Sequence, residues 1–350
     1  MGTRTVGVDI GSGSIRAVEV SRAGRGSATV VRYHEVPLPE GAVRNGEVAE
    51  VNTVAAALRQ LWSVGGFTSK KVVLGIGNPK VLVRDVTVPK LSKKEIRTAL
   101  PFQVQDMLPV PVADALLDFY PVSEGTSETG PVVNGLLVAA VKDAVMANVT
   151  AVVLAGLTPV EVDLIPFALN RVLQRGAMVA GTAALVDVGA NTTNVLITTD
   201  GVPQFVRIIP AGGADVTAAL AGRLGITMEQ AEAGKRHLGL APRAATPEQS
   251  EAAEIIYELT SELLNSLRNT LSFYLNSRPG KRIDRVLLSG GGSTMTSFAL
   301  ALAELTRMEV LLDDPFDHVT VAKNARKPSL PEVSTGAMTV ALGLALRSIP

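Results

Sequence analysis

The chain has 350 residues, no net charge, 47% apolar and 4% aromatic residues, and no cysteine. That length admits two domains or one bilobal unit with large buried cores. Disulfides, cysteine-ligated zinc and thiol catalysis are excluded, and neither a basic face nor stacking aromatics favour nucleic acid. His34, His237 and His318 are scattered without metal-ligand spacing and read as structural or exposed. Met1-Gly-Thr-Arg4 runs straight into a strand without a signal-peptide pattern. No apolar run approaches the ~18 residues of a spanning helix. The expectation is a soluble, cytoplasmic protein.

The chain opens with Val6-Gly-Val-Asp-Ile-Gly-Ser-Gly-Ser-Ile-Arg-Ala-Val-Glu-Val20, which reads strand, glycine turn, strand. Such a turn either caps a plain surface hairpin or cradles an anion on its backbone N–H groups, with Asp9 placed for hydrated Mg²⁺. Residues 28–36 are a third strand, ended by Pro37 and Pro39, and 41–46 a loop. Asn52 or Thr53 caps a helix carrying Val54, Leu58, Leu61 and Trp62, and 71–76 is a strand.

Residues 80–88 alternate as a strand. Ser92-Lys-Lys-Glu95 matches a capping box for a helix in which Pro101 predicts a kink or break. Residues 118–122 and 132–141 are strands around a flexible 125–130 loop. This is a small strand-helix-strand-strand module over about 78–141. A helix over 144–154, a strand over 159–164 and a helix over 166–173 follow.

Ala184-Leu-Val-Asp-Val-Gly-Ala-Asn-Thr-Thr-Asn-Val-Leu-Ile197 repeats the opening grammar. Asp9-Ile-Gly-Ser-Gly-Ser aligns with Asp187-Val-Gly-Ala-Asn-Thr without a gap, so the chain reads as an internal duplication. Two such halves can clamp one polyphosphate. A strand over 204–209, helices from Gly212-Gly213 and Thr227, a loop over 240–247 and a long amphipathic helix over 248–276 come next. A buried strand over 285–289, the turn Gly290-Gly-Gly292, a helix over 296–305 and a short strand over 310–312 follow. Residues 319–328 fit no single class, and an apolar helix over 335–346 closes the chain.

No P-loop, Rossmann fingerprint, nucleophile elbow or zincin motif occurs; Gly11-Ser-Gly13 leads into a strand where the dinucleotide fingerprint needs a helix. Other clusters fit a nucleotide, each with a plainer alternative. Gly212-Gly213 is a phosphate-accepting helix start or an ordinary one. Ser289-Gly-Gly-Gly-Ser293 admits a base or ribose against the backbone or is a tight turn. Glu232 and Lys235 hold ribose hydroxyls or form a solvent ion pair. Arg16 reaches a phosphate or is an edge-strand charge.

In this order the motifs resemble the two phosphate loops and the adenosine motif of the actin-like ATPase superfamily. The resemblance implies an α/β actin-like ATPase fold: two duplicated ribonuclease-H-like domains, 1–175 and 176–350, the small module being inserted in the first. The module, the opening hairpin, Ala99-Leu-Pro-Phe-Gln-Val-Gln-Asp-Met-Leu-Pro109 and Val162-Asp-Leu-Ile-Pro-Phe-Ala-Leu169 resemble the type IV pilus assembly PilM family in particular. The closing Val340-Ala-Leu-Gly-Leu-Ala-Leu346 is similar too. A basic amphipathic tail of the kind found in the division protein FtsA is not seen before Pro350.

The resemblance implies a cytoplasmic ATP-binding scaffold of the pilus inner-membrane platform. It would meet the membrane only through a partner, binding the N-terminal cytoplasmic peptide of PilN near the inserted module. Leu100, Phe102 and Val104 either line that groove or pack the module's core. ATP is expected against Gly11, Ser12, Gly13, Ser14, Arg16, Gly189, Asn191, Thr192, Gly212, Gly213, Glu232, Lys235, Gly290, Gly291, Gly292 and Ser293. Mg²⁺ is expected on Asp9 and Asp187 through water. PilM-like hairpins often carry Lys where Arg16 stands, and arginine has different reach and geometry. Asp163 is a candidate for orienting the attacking water or a helix cap, so turnover is expected to be slow at best. The alternatives are an FtsA-like division protein and a small-molecule kinase of the same superfamily.

Overall fold

The computed structural model describes residues 3–22, 28–173, 180–240, 246–312, 314–326 and 335–347. The expected division at 175/176 and residues 241–245 of the expected loop lie outside these residues.

Alternating apolar residues make β1 (Thr3–Ile10) and β2 (Ser14–Arg22), antiparallel and in register from Thr3↔Arg22 to Ile10↔Ile15. β3 (Ala28–Pro37) completes the meander. The segment expected as a loop holds part of a minimal hairpin, β4 (Val43–Arg44) with β5 (Glu47–Val48). α1 (Val51–Gly65) buries Val54, Leu58 and Leu61. Its N-cap is Glu50 rather than Asn52 or Thr53; the Thr53 hydroxyl donates to the Glu50 carboxylate at 2.8 Å. β6 (Lys71–Ile76) runs parallel to β1.

The inserted module contains β7 (Leu82–Pro89), α2 (Lys93–Val104), β8 (Ala115–Ser127) and β9 (Gly130–Val141), with strand order β7-β9-β8. Both capping-box bonds of Ser92 and Glu95 form. Pro101 does not break α2, which passes into a single 3-10 turn at Gln105–Met107. The expected 125–130 loop contracts to a tight turn because β8 and β9 pair out to Ser127↔Gly130. α3 (Lys142–Leu154), β10 (Thr158–Leu164) and α4 (Ile165–Leu173) return to the first sheet.

The second half repeats the plan. β11 (Thr182–Val188), β12 (Thr193–Thr199) and β13 (Val202–Ile209) form the meander. α5 (Gly213–Leu224), α6 (Met228–Leu238) and α7 (Pro247–Ser277) follow. β14 (Arg285–Ser289) is parallel to β11, α8 (Phe298–Thr306) follows it, and β15 (Glu309–Leu312) lies outside β14. The sheet orders are β10-β6-β1-β2-β3-β16 and β13-β12-β11-β14-β15. Read from opposite ends, β1, β2, β3, β6 and β10 occupy the places of β11, β12, β13, β14 and β15. This is the duplication seen in the hairpin motifs, extended to whole sheets.

The second half does not keep its last elements. β16 (Thr320–Arg326), from the stretch that fitted no class, pairs parallel with β3. α9 (Thr339–Ala345) packs on β1, β2 and α4. The 176–350 unit expected from sequence therefore contributes a strand and a helix to the first sheet. Its apolar face covers Val18, Val20 and Val30 with Met338, Leu342 and Leu346. Gly7 permits this approach, because a Cβ there would collide with the Ala341 carbonyl.

Candidate functional site

The two hairpins close in the same way. The Gly11 N–H donates to the Ser14 carbonyl at 3.0 Å, and the Gly189 N–H to the Thr192 carbonyl at 2.9 Å. Each leaves a two-residue tip, Ser12-Gly13 and Ala190-Asn191. One residue before each turn, Asp9 pairs across to Arg16, and Asp187 to Asn194.

Both carboxylates are buried and belong to one interlobe cleft. Asp187 is pushed up to about 6, first by burial and then by the charge of Asp9. The Ser289 hydroxyl (3.1 Å), Arg16 and the Asn194 amide oppose that rise. Asp9 is also raised by burial, with Arg16 opposing and Glu35 adding to it. Arg16 Nη1 lies beside the turn, 3.7 Å from where a Cβ on Gly11 would stand. Its guanidinium lies 3.6 Å from Asp9 and 2.9 Å from Glu35, clamped between carboxylates.

The glycines at Gly212-Gly213 serve a different need from the one expected. The start of α5 is not an open anion site. The Gly213 and Ala214 N–H groups donate to the Gly189 and Ala190 carbonyls at 2.9 and 2.8 Å, and the Gly212 N–H is capped by Asp215 at 2.7 Å. Asn191 Nδ2 also donates to Asp215, at 3.3 Å. A Cβ on Gly212 would stand 2.5 Å from the Gly189 and Ala190 carbonyls, so glycine is required for contact with the hairpin. Gly290, at φ +85°, presses on Val188 from the other side, and Gly292 lies beside it. Gly13 and Gly291, by contrast, have nothing within 4 Å of a Cβ position. The Ser293 hydroxyl turns inward to the Gly290 carbonyl at 2.8 Å. A cavity of about 150 Å³ lies against Gly212, Gly213 and Gly292, walled by Val216, Leu263 and Met295.

Glu232 and Lys235 form an interior clamp. The Lys235 ammonium donates to the Gly213 carbonyl (2.9 Å), Thr217 (2.8 Å) and Glu232 (2.6 Å), which uses all three of its protons. Burial pushes Glu232 up, but hydrogen bonds from Lys235, Thr217 and Arg236 prevail and bring it down to about 2.

Asp163 does not serve the cleft. Its carboxylate takes the Leu164 N–H (2.9 Å) and the guanidinium groups of Arg171 and Arg347, and Arg347 also pairs with Glu161. Ile165 and Leu344 fill the space over Gly75, its neighbour in the sheet. The catalytic assignment is corrected on that ground. Asp163 lines instead a groove of about 380 Å³ between the inserted module and the first lobe. Tyr120 and Phe167 meet in it as a tilted pair with ring centres 5.0 Å apart, and Leu116 of the module, Val162 of the first lobe and Pro203 of the second lobe complete its walls.

Leu100 and Val104 do not line that groove. They are 1% and 0% exposed and pack against Val88, Val133 and Leu137 in the module's own core. Phe102 is 77% exposed, on the outer side of α2. Sequence reasoning missed Arg171, Arg347 and Asn194. The last was findable: the gapless alignment of the two hairpins places it where Arg16 stands.

The family model described as "Type IV pilus assembly protein PilM" matches residues 7–349. The chain belongs to the type IV pilus assembly protein PilM family. A solved PilM-PilN type IV pilus biogenesis complex is 26% identical, covers 99% of this chain and 98% of that one, and superposes with a TM-score of 0.84. Cell division protein FtsA of Bacillus subtilis (strain 168) is 23% identical over 352 residues, 89% of this chain and 78% of that protein. MreB5 of Spiroplasma citri bound to ADP shares the fold at 10% identity, with a TM-score of 0.53, over 97% of this chain and 94% of that one. The fold is thus the actin-like ATPase fold expected of this family. Among the described residues, no helix is long and apolar enough to cross a membrane.

The cleft suits the cofactors this fold implies. Two buried carboxylates and a hydroxyl are hard oxygen ligands or water acceptors of the kind Mg²⁺ takes.

Proposed function

We propose that this protein is a nucleotide-dependent adaptor of the type IV pilus inner-membrane platform. ATP is held between the two hairpin tips: Ser12, Gly13 and Ser14 on one side, Ala190, Asn191 and Thr192 on the other. Asp9 and Asp187 hold the waters of Mg²⁺, whose contribution is to neutralise phosphate charge. Glu232 and Lys235 brace α5 and α6 behind the site rather than meeting the ribose hydroxyls. The protein works as a binder first, with slow turnover at most.

The partner is the cytoplasmic N-terminal peptide of PilN, which would hold the protein at the inner face of the membrane. The carrying observation is the groove between module and first lobe. Its lining is partly apolar and aromatic and partly a charge cluster of buried Asp163 with half-buried Arg171 and Arg347, and it takes one wall residue, Pro203, from the second lobe. Mixed apolar and charged lining suits an extended peptide. The PilM of the solved complex, similar over almost the whole chain, binds PilN.

Isothermal titration of a PilN N-terminal peptide, with and without Mg-ATP, tests this reading. Binding that is lost in the groove variant Phe167→Asp and kept in Phe102→Ala supports it. Binding that survives Phe167→Asp places the peptide elsewhere.

A further inference from the structure

Asp9, Arg16 and Glu35 are direct neighbours across β1, β2 and β3, so their side chains share one face of the sheet. The Arg16 guanidinium spans the row, with Nη1 3.6 Å from Asp9 and Nη2 2.9 Å from Glu35. Its planar fork addresses two carboxylates through two nitrogens, which the single ammonium of a lysine does not. The three side chains are 12–21% exposed, so solvent screens the row only in part.

The second lobe has no such row. Its matching positions are Asp187, Asn194 and Ile208. Glu35 is therefore outside the duplicated pattern, and an apolar isoleucine stands in its place in the other half. The charge of Arg16 reaches beyond its own lobe, because it also opposes the rise of the Asp187 carboxyl. One guanidinium thus serves the carboxylates of Asp9, Glu35 and Asp187. Of its two ion-pair partners Glu35 is the nearer, and it draws Nη2 away while Nη1 stays beside the first hairpin turn.

We propose that Glu35 is a positioning residue that withholds Arg16 from the nucleotide's phosphates, so that ATP binding depends on the accompanying divalent cation. This rests on the nucleotide reading above. Without the cation, Arg16 is engaged by Asp9 and Glu35, and the carboxylates of the cleft repel a polyphosphate. With Asp9 occupied by the cation's waters, Arg16 has one near carboxylate to satisfy instead of two, and its Nη1 is released toward the turn. Glu35 acts through Arg16 and touches neither phosphate nor cation.

The test measures ATP affinity of the full chain by calorimetric titration, once in EDTA and once with Mg²⁺. Glu35→Gln keeps the shape and removes the charge. Its affinity in EDTA is expected to rise by about ten-fold, the scale of one partly screened unit charge acting over several ångströms. Its affinity with Mg²⁺ is expected to change much less, so the ratio between the two conditions shrinks. In an Arg16→Gln background the same Glu35→Gln change is expected to have little effect, because the residue it works through is gone.

An unaltered ratio in Glu35→Gln overturns the proposal. So does a fall of affinity in EDTA, which would make Glu35 a residue that presents Arg16 to the phosphates. An equal gain in the natural and Arg16→Gln backgrounds also overturns it, since Glu35 would then be a bystander charge. If Glu35→Gln does not fold, Glu35→Met carries the same comparison. Failure of the natural chain to bind ATP with Mg²⁺ removes the nucleotide reading and this proposal together; normal binding with an unaltered ratio removes only this inference.

Discussion

Arg278 and Asp85 form an ion pair at 2.8 Å across the boundary between the second lobe and the inserted module. The same guanidinium donates to the Gln204 carbonyl at 3.1 Å and lies 4.9 Å from the centre of the Tyr274 ring. Asp85 is 68% exposed, so the pair itself contributes only about 0–1 kcal/mol. Its interest is in what it joins: strand β7 of the inserted module and the end of α7 in the second lobe. Asp85→Asn is expected to leave melting temperature and ATP affinity unchanged while reducing the ratio of peptide affinities with and without Mg-ATP. An unaltered ratio rejects that coupling.

Asp187→Asn separates site from scaffold. The substitution removes a carboxylate whose charge both burial and Asp9 disfavour. The melting temperature is expected to hold or rise. Mg-ATP affinity is expected to fall by about ten-fold or more, as loss of a cation's anchoring group commonly causes. Calorimetric titration and melting of the same preparation check both halves.

The module's core and its outer face should respond differently. Leu100→Ala removes a fully buried side chain and is expected to cost about 2–5 kcal/mol. Phe102→Ala, on the exposed face, is expected to change stability by less than about 0.5 kcal/mol. Denaturant melts of both variants decide whether the Ala99-Leu-Pro-Phe-Gln-Val104 run is core or surface at each position.

Glu232 gives a pH signature. Its carboxyl sits at about 2 in the folded chain against an ordinary 4.5. The folded value lies below the unfolded one, so its stabilisation is fully present above about 4.5 and is lost as pH falls toward 2. The side chain is 37% exposed, and solvent screening keeps the effect modest. Glu232→Gln is expected to melt below the natural chain at neutral pH, with the gap closing through that acid window.

Asp163→Asn leaves Arg171 and Arg347 facing each other without their shared carboxylate. Breaking such a buried charge cluster costs about 3–5 kcal/mol, and the melting temperature is expected to fall accordingly, with peptide binding weakened and ATP affinity retained. A stable protein that has lost only ATP turnover would return Asp163 to a catalytic role.

The duplication was legible because it is written locally. Asp9 and Asp187 each precede a glycine in the same strand-turn-strand pattern, and both sheets followed from it. What the glycines do was less legible. Gly212 and Gly11 look alike in sequence, yet one is needed for contact with the neighbouring hairpin's carbonyls and the other closes its own turn. Asp163 misled for a related reason. Its partners, Arg171 and Arg347, come from α4 and the far end of the chain, and a contact spanning 184 residues leaves no periodic trace. Leu100 and Phe102 differ by two positions on one helix, so helical spacing sets them on different faces. The sequence could not tell which face the module's sheet would cover. β16 resisted assignment because its partner, β3, lies some three hundred residues earlier.

That late return of β16 and α9 orders events during synthesis. Val18, Val20 and Val30 emerge from the ribosome early, yet the helix that shields them ends at Ala345. The lobe that is begun first must therefore be finished last, after the second lobe's sheet has already been made. Until then a strip of apolar strand stays uncovered on the nascent chain, where a chaperone has something to hold.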